Sequence, residues 1–144
     1  MIKREDIELI ERVSIKAQRA LNSILRVKKL EEDLDKLTRK EIQTIFTIGS
    51  KGNRTMGDIA SCLGVAISTP VTTIDRLIKK EYVLRKVGEE DRRQVLVSLT
   101  EKGNDLYDKL LEIRLSNMEL ILNSFSEEEM HMFRVILRKL DREL

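Results

Sequence analysis

The stretch that decides the fold is residues 68–93, which read Ser68-Thr-Pro-Val-Thr-Thr-Ile-Asp-Arg-Leu-Ile-Lys-Lys-Glu-Tyr-Val-Leu-Arg-Lys-Val-Gly-Glu-Glu-Asp-Arg-Arg93. Ser68 is a residue that caps helices, and Pro70 in a first turn loses no hydrogen bond, because first-turn N–H groups have no partner within a helix. Apolar side chains then recur at helical spacing and form one stripe. Its members are Val71, Ile74, Leu77 and Ile78. The pattern predicts an amphipathic helix that buries this stripe.

The opposite face of the predicted helix carries short hydroxyls and basic groups. These residues are Thr69, Thr72, Thr73, Arg76 and Lys80, and Ser68 at the start of the helix is expected to contact DNA with them. Such side chains suit the major groove of DNA, because hydroxyls and arginine bond to base edges and phosphates. The face therefore predicts a helix that reads duplex DNA.

Two strands are predicted after this helix, over residues 82–87 and 94–99, joined by a charged tip that contains Gly88. Apolar and polar residues alternate through most of the second strand, as expected for a half-buried strand. A DNA-reading helix followed by a hairpin with a basic tip is the plan of a winged helix-turn-helix. In that plan Arg92 and Arg93 of the tip also reach DNA.

Upstream of the reading helix, two shorter helices are predicted from their caps. Thr38 and Glu41 form a capping box that opens the first of them, which ends near Gly49 as a left-handed cap. Thr55 and Asp58 open the second in the same way.

A tight turn is predicted between the second short helix and the reading helix. Gly64 there permits a positive φ, and Val65 and Ile67 are expected to pack the turn onto the core. Two short helices joined by such a turn are typical of helix-turn-helix proteins. Arg54, just before the second helix, is expected to touch DNA phosphates.

The ends of the chain are predicted to be long helices. Residues 5–34 contain no glycine or proline, and thirty residues of helix span about 45 Å. Further helices are expected after Thr100 and after Ser126, where cap residues precede apolar stripes. These stripes exceed what a small reader domain can bury, so we predict that residues 1–36 and 101–144 form a helical dimerisation region and residues 37–100 the DNA-binding domain.

Composition agrees with a mainly α protein that carries a small β-hairpin wing. Of 144 residues, 36% are charged and 3% aromatic, and there is one proline. The sequence has no apolar run of membrane-spanning length and no signal-peptide pattern at Met1, and a single cysteine fits a reducing compartment. We therefore expect a cytoplasmic protein. Residues 51–99 carry nine basic and six acidic groups, so the basic excess falls on the predicted reader.

Nearly the whole chain resembles the MarR family of bacterial transcription regulators. The residues that carry the resemblance are Leu37-Thr38, Thr55…Asp58-Ile-Ala…Leu63-Gly64, Ser68-Thr-Pro-Val-Thr…Asp75-Arg-Leu and Asp91-Arg-Arg…Val97-Ser-Leu-Thr-Glu-Lys-Gly103. The resemblance implies a homodimer with a recognition helix in each major groove and wing arginines in a minor groove. It also implies a repressor relieved by a small ligand or by oxidation.

Two positions carry specific family expectations. Asp91 is similar to a wing acid that braces a neighbouring arginine, and Arg92 or Arg93 to the side chain that probes a minor groove, where a narrow groove concentrates negative potential. Glu81 stands where many relatives have glycine, so either it adopts a left-handed conformation at a cost of about 1 kcal/mol or the helix ends differently.

An effector site is expected between the first helix and the reader. Its predicted lining is Ile24, Ile42, Ile45 and Phe46. Residues 37–49 and 68–73 are similar to the branch of the family that represses fatty-acid synthesis. That likeness implies an acyl chain on its carrier protein as effector.

Other functions are weighed against DNA binding. Cys62 is expected to be a small buried apolar residue rather than a redox sensor, because its neighbours Ile59, Ala60 and Leu63 face the core. One cysteine and one histidine, His131, are too few for a soft-ligand zinc site, and the sequence has no phosphate loop or nucleophile motif. We therefore expect no metal, cofactor or catalysis. The alternative is a winged-helix module that binds protein, but its outward helix face would be apolar rather than hydroxyl-rich.

Overall fold

A computed structural model describes residues 1–23, 36–49 and 52–144. Within these ranges the elements are α1 (Arg4–Ser23), α2 (Arg39–Gly49), β1 (Arg54–Thr55), α3 (Met56–Leu63), α4 (Thr69–Lys79), β2 (Val83–Val87), β3 (Val95–Leu99), α5 (Glu101–Leu122) and α6 (Glu127–Glu143). The predicted mainly α fold with a hairpin wing is confirmed. The rest of the predicted first helix, including Ile24, lies outside the described residues. Among the described residues, every helix is too short or too polar to span a membrane.

The chain divides into two compact units. One comprises Met1–Arg26 with Glu112–Leu144, and the other comprises Val27–Leu111, which we call the reader unit. The reader unit includes the first half of α5, because Leu106 and Leu110 are buried in its core.

The sheet of the reader unit has three antiparallel strands in the order β1-β3-β2. The hairpin pairs Val83 with Leu99 and Val87 with Val95, as the two predicted strands require. On the other side of β3, Arg54 of β1 pairs with Val97. The sequence indicates no strand at this point, because a two-residue strand is too short to produce a periodic pattern.

One hydrophobic core joins the helices and the sheet of the reader unit. Its fully buried members include Ile45, Ile48, Ile59, Ile74, Leu77 and Val97. Each such side chain contributes about 1.5–3 kcal/mol relative to an exposed one. The apolar residues of α2, α3 and α4 therefore meet in a single core.

The predicted helix starts are confirmed at four places. In the capping box of α2, the Thr38 N–H donates to Glu41 at 2.7 Å and the Glu41 N–H donates to the Thr38 hydroxyl at 3.2 Å. The same reciprocal pair opens α3 and α6. At α5 the Thr100 hydroxyl accepts the N–H of Gly103 at 3.0 Å. Gly103 lies so close to the Tyr82 carbonyl oxygen that a Cβ there would overlap it.

Three local predictions are wrong. Gly49 is the last residue of α2 rather than a left-handed cap, and its backbone lies against the Tyr107 ring. Val65 and Ile67 are exposed, so they do not pack the turn onto the core. Val71 is also exposed, because Pro70 takes the buried position one residue earlier.

Candidate nucleic-acid interface

The recognition helix α4 separates its two faces as predicted. Pro70, Ile74 and Leu77 are buried in the core, four and three residues apart along the helix. Thr72 and Arg76 are exposed on the other side. Thr69 is also exposed and Thr73 is half-buried. The core stripe therefore turns the hydroxyls and the guanidinium of α4 to solvent.

Ser68 precedes α4 but does not cap it. Its backbone is already helical, with φ −68° and ψ −23°, and its side chain makes no capping hydrogen bond. A capping side chain needs an extended backbone to reach the free N–H groups, so the predicted cap is wrong. Ser68 is instead an exposed hydroxyl beside Thr69.

The turn between α3 and α4 begins at Gly64. Gly64 has φ +65°, and its N–H donates to the Ser61 carbonyl at 3.1 Å. The N–H of Val65 donates to the Ala60 carbonyl at 3.0 Å. This pair of bonds around a left-handed residue is a Schellman motif, which ends a helix and satisfies its last carbonyls. The predicted positive φ at Gly64 is confirmed.

The recognition helix ends with the same motif, but its left-handed residue is Glu81, with φ +66°. The Glu81 N–H donates to Ile78 at 2.9 Å, and the Tyr82 N–H donates to Leu77 at 3.0 Å. The Thr100 hydroxyl also donates to the Glu81 carbonyl at 2.6 Å. The left-handed alternative is therefore correct, and contacts on both sides of Glu81 stabilise it.

Lys80 does not face the DNA-reading side. Its ammonium lies 2.9 Å from both carboxylate oxygens of Glu41 and 2.6 Å from the Lys36 carbonyl oxygen. Burial of Glu41 by itself raises the pKa of that carboxyl, but the Thr38 N–H and the Lys80 ammonium outweigh it and hold the pKa below its ordinary value. Lys80 therefore connects the C-terminus of α4 to the N-terminus of α2, and we leave it out of the interface.

Arg54 and Cys62 differ from their predicted environments. Arg54 begins β1 and is only 6% exposed, so it is not placed to touch phosphates. Its Nη1 lies 3.1 Å from the Cys62 sulfur. Cys62 is exposed, because it lies outside the face of α3 that buries Ile59 and Ala60.

The wing tip is shaped by its own hydrogen bonds. Asp91 accepts the N–H of Arg93 at 2.9 Å, and its carbonyl accepts the N–H of Gln94 at 3.0 Å. The N–H of Gly88 donates across the tip to the Gln94 carbonyl at 2.8 Å. Arg92 and Arg93 are exposed. Asp91 therefore holds the tip in a turn from which both guanidinium groups extend into solvent.

An ion pair that no sequence signal predicts joins the recognition helix to the wing. Arg85 of β2 lies 2.7 Å from Asp75 of α4, and both side chains are partly exposed. No sequence periodicity links a helix residue to a strand residue ten positions later, so only the tertiary structure reveals the pair.

The described residues predicted to line an effector site belong to the core of the reader unit or pack against it. Ile42 and Ile45 are buried in the core of the reader unit, and Phe46 packs edge-on against Tyr107 with ring centres 5.6 Å apart. Ile24 lies outside the described residues.

The architecture of the reader unit is that of a winged helix-turn-helix DNA-binding domain. The sequence model of a family described as winged helix DNA-binding domain matches residues 37–103. This range contains helices α2, α3 and α4, the three strands and the start of α5.

Relatives extend the likeness beyond this domain. The chain is 31% identical over 121 residues to the uncharacterized HTH-type transcriptional regulator YwoH of Bacillus subtilis, covering 80% of this chain and 88% of YwoH. It is 29% identical over 138 residues to the HTH-type transcriptional regulator PecS of Dickeya dadantii, covering 94% of this chain and 79% of PecS.

Solved structures agree with these relatives. A MarR family protein from Bacillus stearothermophilus superposes with a TM-score of 0.78 at 23% identity, over 99% of this chain and 98% of that protein. Streptococcus pneumoniae FabT in complex with DNA superposes with a TM-score of 0.69 at 26% identity, over 92% of this chain and 95% of FabT. The chain belongs to the family of winged helix-turn-helix (HTH-type) transcriptional regulators, and it shares the fold of MarR family proteins.

Proposed function

We propose that this regulator is a homodimeric repressor that binds a pseudo-palindromic operator in duplex DNA. The observation that carries the proposal is the outward face of α4, where Ser68, Thr69, Thr72 and Arg76 are exposed above a fully buried stripe. A hydroxyl-rich face with an arginine matches the donors and acceptors of the major groove. In a dimer, two such helices would read half-sites about one helical turn apart, roughly 10 bp.

The wing supplies the second contact in this proposal. Arg92 and Arg93 extend from a tip that Asp91 braces, and an inserted arginine favours a narrow minor groove. The wing would therefore respond to groove width, and α4 to base identity. The DNA complex of FabT, which shares the fold, supports DNA as the partner.

Exposed apolar side chains on the other unit support the dimer. Ile10 and Val13 lie three residues apart on α1, and Ile136, Leu137 and Leu140 lie on one side of α6; all five are exposed. Aliphatic side chains at this spacing form an apolar stripe that a second subunit would cover. Repression would be exerted in the cytoplasm, where bacterial DNA lies, and we assign the protein no catalytic activity.

Control by an effector is the remaining part of the proposal. An effector changes operator affinity only if it binds the DNA-competent state and the other state with different affinities. Acylated carrier protein is the first candidate, with unacylated carrier protein as its control. Operator affinity that stays constant with both proteins would contradict the acyl effector and leave DNA binding untouched.

Fluorescence anisotropy with the promoter beside its own gene tests the central proposal. Binding is measured at two salt concentrations, with random-sequence duplex as control. We expect salt-dependent binding and a preference of roughly a thousandfold or more for the operator. Equal, weak binding to both duplexes would contradict a sequence-specific repressor and favour the protein-binding module.

A matched pair of arginine variants locates the interface. Arg76→Ala should cost about 1–3 kcal/mol on the operator if the guanidinium reads a base. Arg138→Ala removes an exposed arginine of α6 and should leave the affinity unchanged. An equal loss for Arg76→Ala on operator and random duplex would instead make Arg76 a phosphate contact.

A further inference from the structure

Two aliphatic side chains lie in solvent at the start of the recognition helix. Ile67 is 64% exposed and Val71 is 37% exposed. The chain already turns helically before α4, since Ser68 has helical angles and the Thr69 N–H donates to the Ala66 carbonyl at 2.9 Å. Residues four apart on a helical path lie on the same side, one turn from each other. Ile67 and Val71 therefore form a small apolar strip.

The position of this strip matters more than its exposure. Single exposed aliphatic residues are common on protein surfaces and need no explanation. Here, however, the exposed Ser68 lies three residues before Val71 and four before the exposed Thr72, so it joins the strip to the hydroxyl face. The apolar strip is thus continuous with the hydroxyl face that we assign to DNA. DNA that contacts the hydroxyls would therefore lie next to Ile67 and Val71.

We propose that Ile67 and Val71 contact the C5-methyl groups of thymines in the major groove and thereby select thymine at defined operator positions. Thymine alone of the four bases presents a methyl group in that groove, and apolar side chains recognise it by contact. The hydroxyls and Arg76 read hydrogen-bonding groups, so the strip supplies a kind of selectivity that they lack. This inference rests on the proposed DNA-binding function.

The test removes the methyl groups from the DNA. Full-length protein first selects its operator from random duplexes, and each thymine of the selected site is then replaced by deoxyuridine, which lacks only the C5-methyl. For the unaltered protein, we expect at least one thymine in each half-site at which the replacement weakens binding about fourfold, the value of one buried methyl group.

Variants of Ile67 then identify the side chain that senses the methyl. Ile67→Ala should bind the thymine operator more weakly than the unaltered protein does. Its affinity should be the same for the thymine operator and for the deoxyuridine operator. Ile67→Leu keeps an apolar side chain and should retain the sensitivity. Val71→Ala is measured in the same way at the neighbouring thymine. Because Ile67 and Val71 are exposed, these variants are expected to fold, and circular dichroism checks it.

Each remaining outcome overturns the inference in a distinguishable way. If the protein selects an operator but no deoxyuridine weakens binding, the strip does not read methyl groups and the proposed function stands. The same conclusion follows if Ile67→Ala and the unaltered protein lose affinity equally on the deoxyuridine operator; the strip is then left for another protein or a second copy of this chain. If no consensus emerges from the random duplexes, the inference and the proposed function both fail.

Discussion

The helices of the reader unit and the helices α1 and α6 carry apolar stripes of the same kind. The stripes of the reader unit are buried, whereas those of α1 and α6 are exposed. In the reader unit, Ile45 and Ile74 are fully buried, although they come from separate helices. On α1 and α6, Ile10 is 57% exposed and Leu137 is 46% exposed. Helical spacing therefore predicts which face of a helix is apolar, but what covers that face depends on elements far away in the chain or on a second chain. The reader unit completes its own core, whereas α1 and α6 leave theirs open.

The largest expected effect is on the stability of the dimer, when an exposed apolar residue of the α1 stripe is made polar. Ile10→Gln would remove one apolar contact in each subunit of a symmetric dimer, and each is worth about 1.5–3 kcal/mol. The dissociation constant of the dimer should therefore rise at least about a hundredfold. Sedimentation equilibrium across a range of concentrations measures it.

Arg12→Gln is the control for this change, because Arg12 belongs to the polar face of α1. It should leave the dissociation constant unchanged. If Ile10→Gln leaves the dissociation constant of the dimer unchanged, α1 does not contribute to the interface. A second subunit would then not be the reason why the apolar stripe of α1 is exposed.

An intermediate effect is expected at the ion pair between Lys80 and Glu41, which joins the end of α4 to the start of α2. Glu41→Gln leaves Lys80 beside a neutral amide, and the free energy of unfolding should fall by about 2 kcal/mol, less than for a fully buried pair because Lys80 is partly exposed. Urea unfolding at neutral pH measures the change.

The pH dependence of this difference has a definite sign. The folded state holds the pKa of Glu41 below its ordinary value, so the stabilisation is complete above the pKa of the unfolded chain and is lost as pH falls through the folded pKa. The gap between the unaltered protein and Glu41→Gln should therefore narrow on acidification below about pH 5.

Glu129→Gln is the control for Glu41→Gln. Glu129 accepts the Ser126 N–H in the same capping geometry but is exposed and has no lysine within salt-bridge distance among the described residues. Its loss should be smaller, about 1 kcal/mol or less. Equal losses at both positions would show that the cap alone, rather than the Lys80 pair, stabilises α2.

The smallest effect is expected at the end of the recognition helix. Glu81→Gly should raise the free energy of unfolding by about 1 kcal/mol, because glycine adopts a positive φ without the steric cost of a Cβ. Glu81→Ala keeps the Cβ and should bring no such gain. Thermal or urea unfolding compares the two, and a similar gain for both would indicate a side-chain effect of Glu81 instead of backbone strain.

Much of the fold could be predicted because its signals are local. A capping box such as Thr38 with Glu41 joins residues three apart, and a stripe such as Ile74 with Leu77 repeats within one turn. The positive φ of Gly64 is also predicted from the residue itself, although the same reasoning is wrong at Gly49. The resemblance to the MarR family rests on these local motifs as well.

The residues that were misplaced depend on contacts distant in sequence. Lys80 has the spacing of a DNA-facing residue, but Glu41 lies within reach of its flexible side chain. Arg54 is predicted to touch phosphates, whereas it pairs with Val97 in the sheet and is buried. In both cases the position of the residue depends on a contact with a residue dozens of positions away in the sequence.

The sequence by itself determined the order of the helices, the N-terminal caps of α2, α3, α5 and α6, the wing and the hydroxyl face of α4, because each depends on residues a few positions apart. Only the tertiary structure decided that Lys80 and Arg54 turn inward and that Cys62, Ile67 and Val71 remain exposed. The physical reason is that exposure depends on what packs against a side chain, and the packing partners of these residues come from elements that local periodicity does not relate.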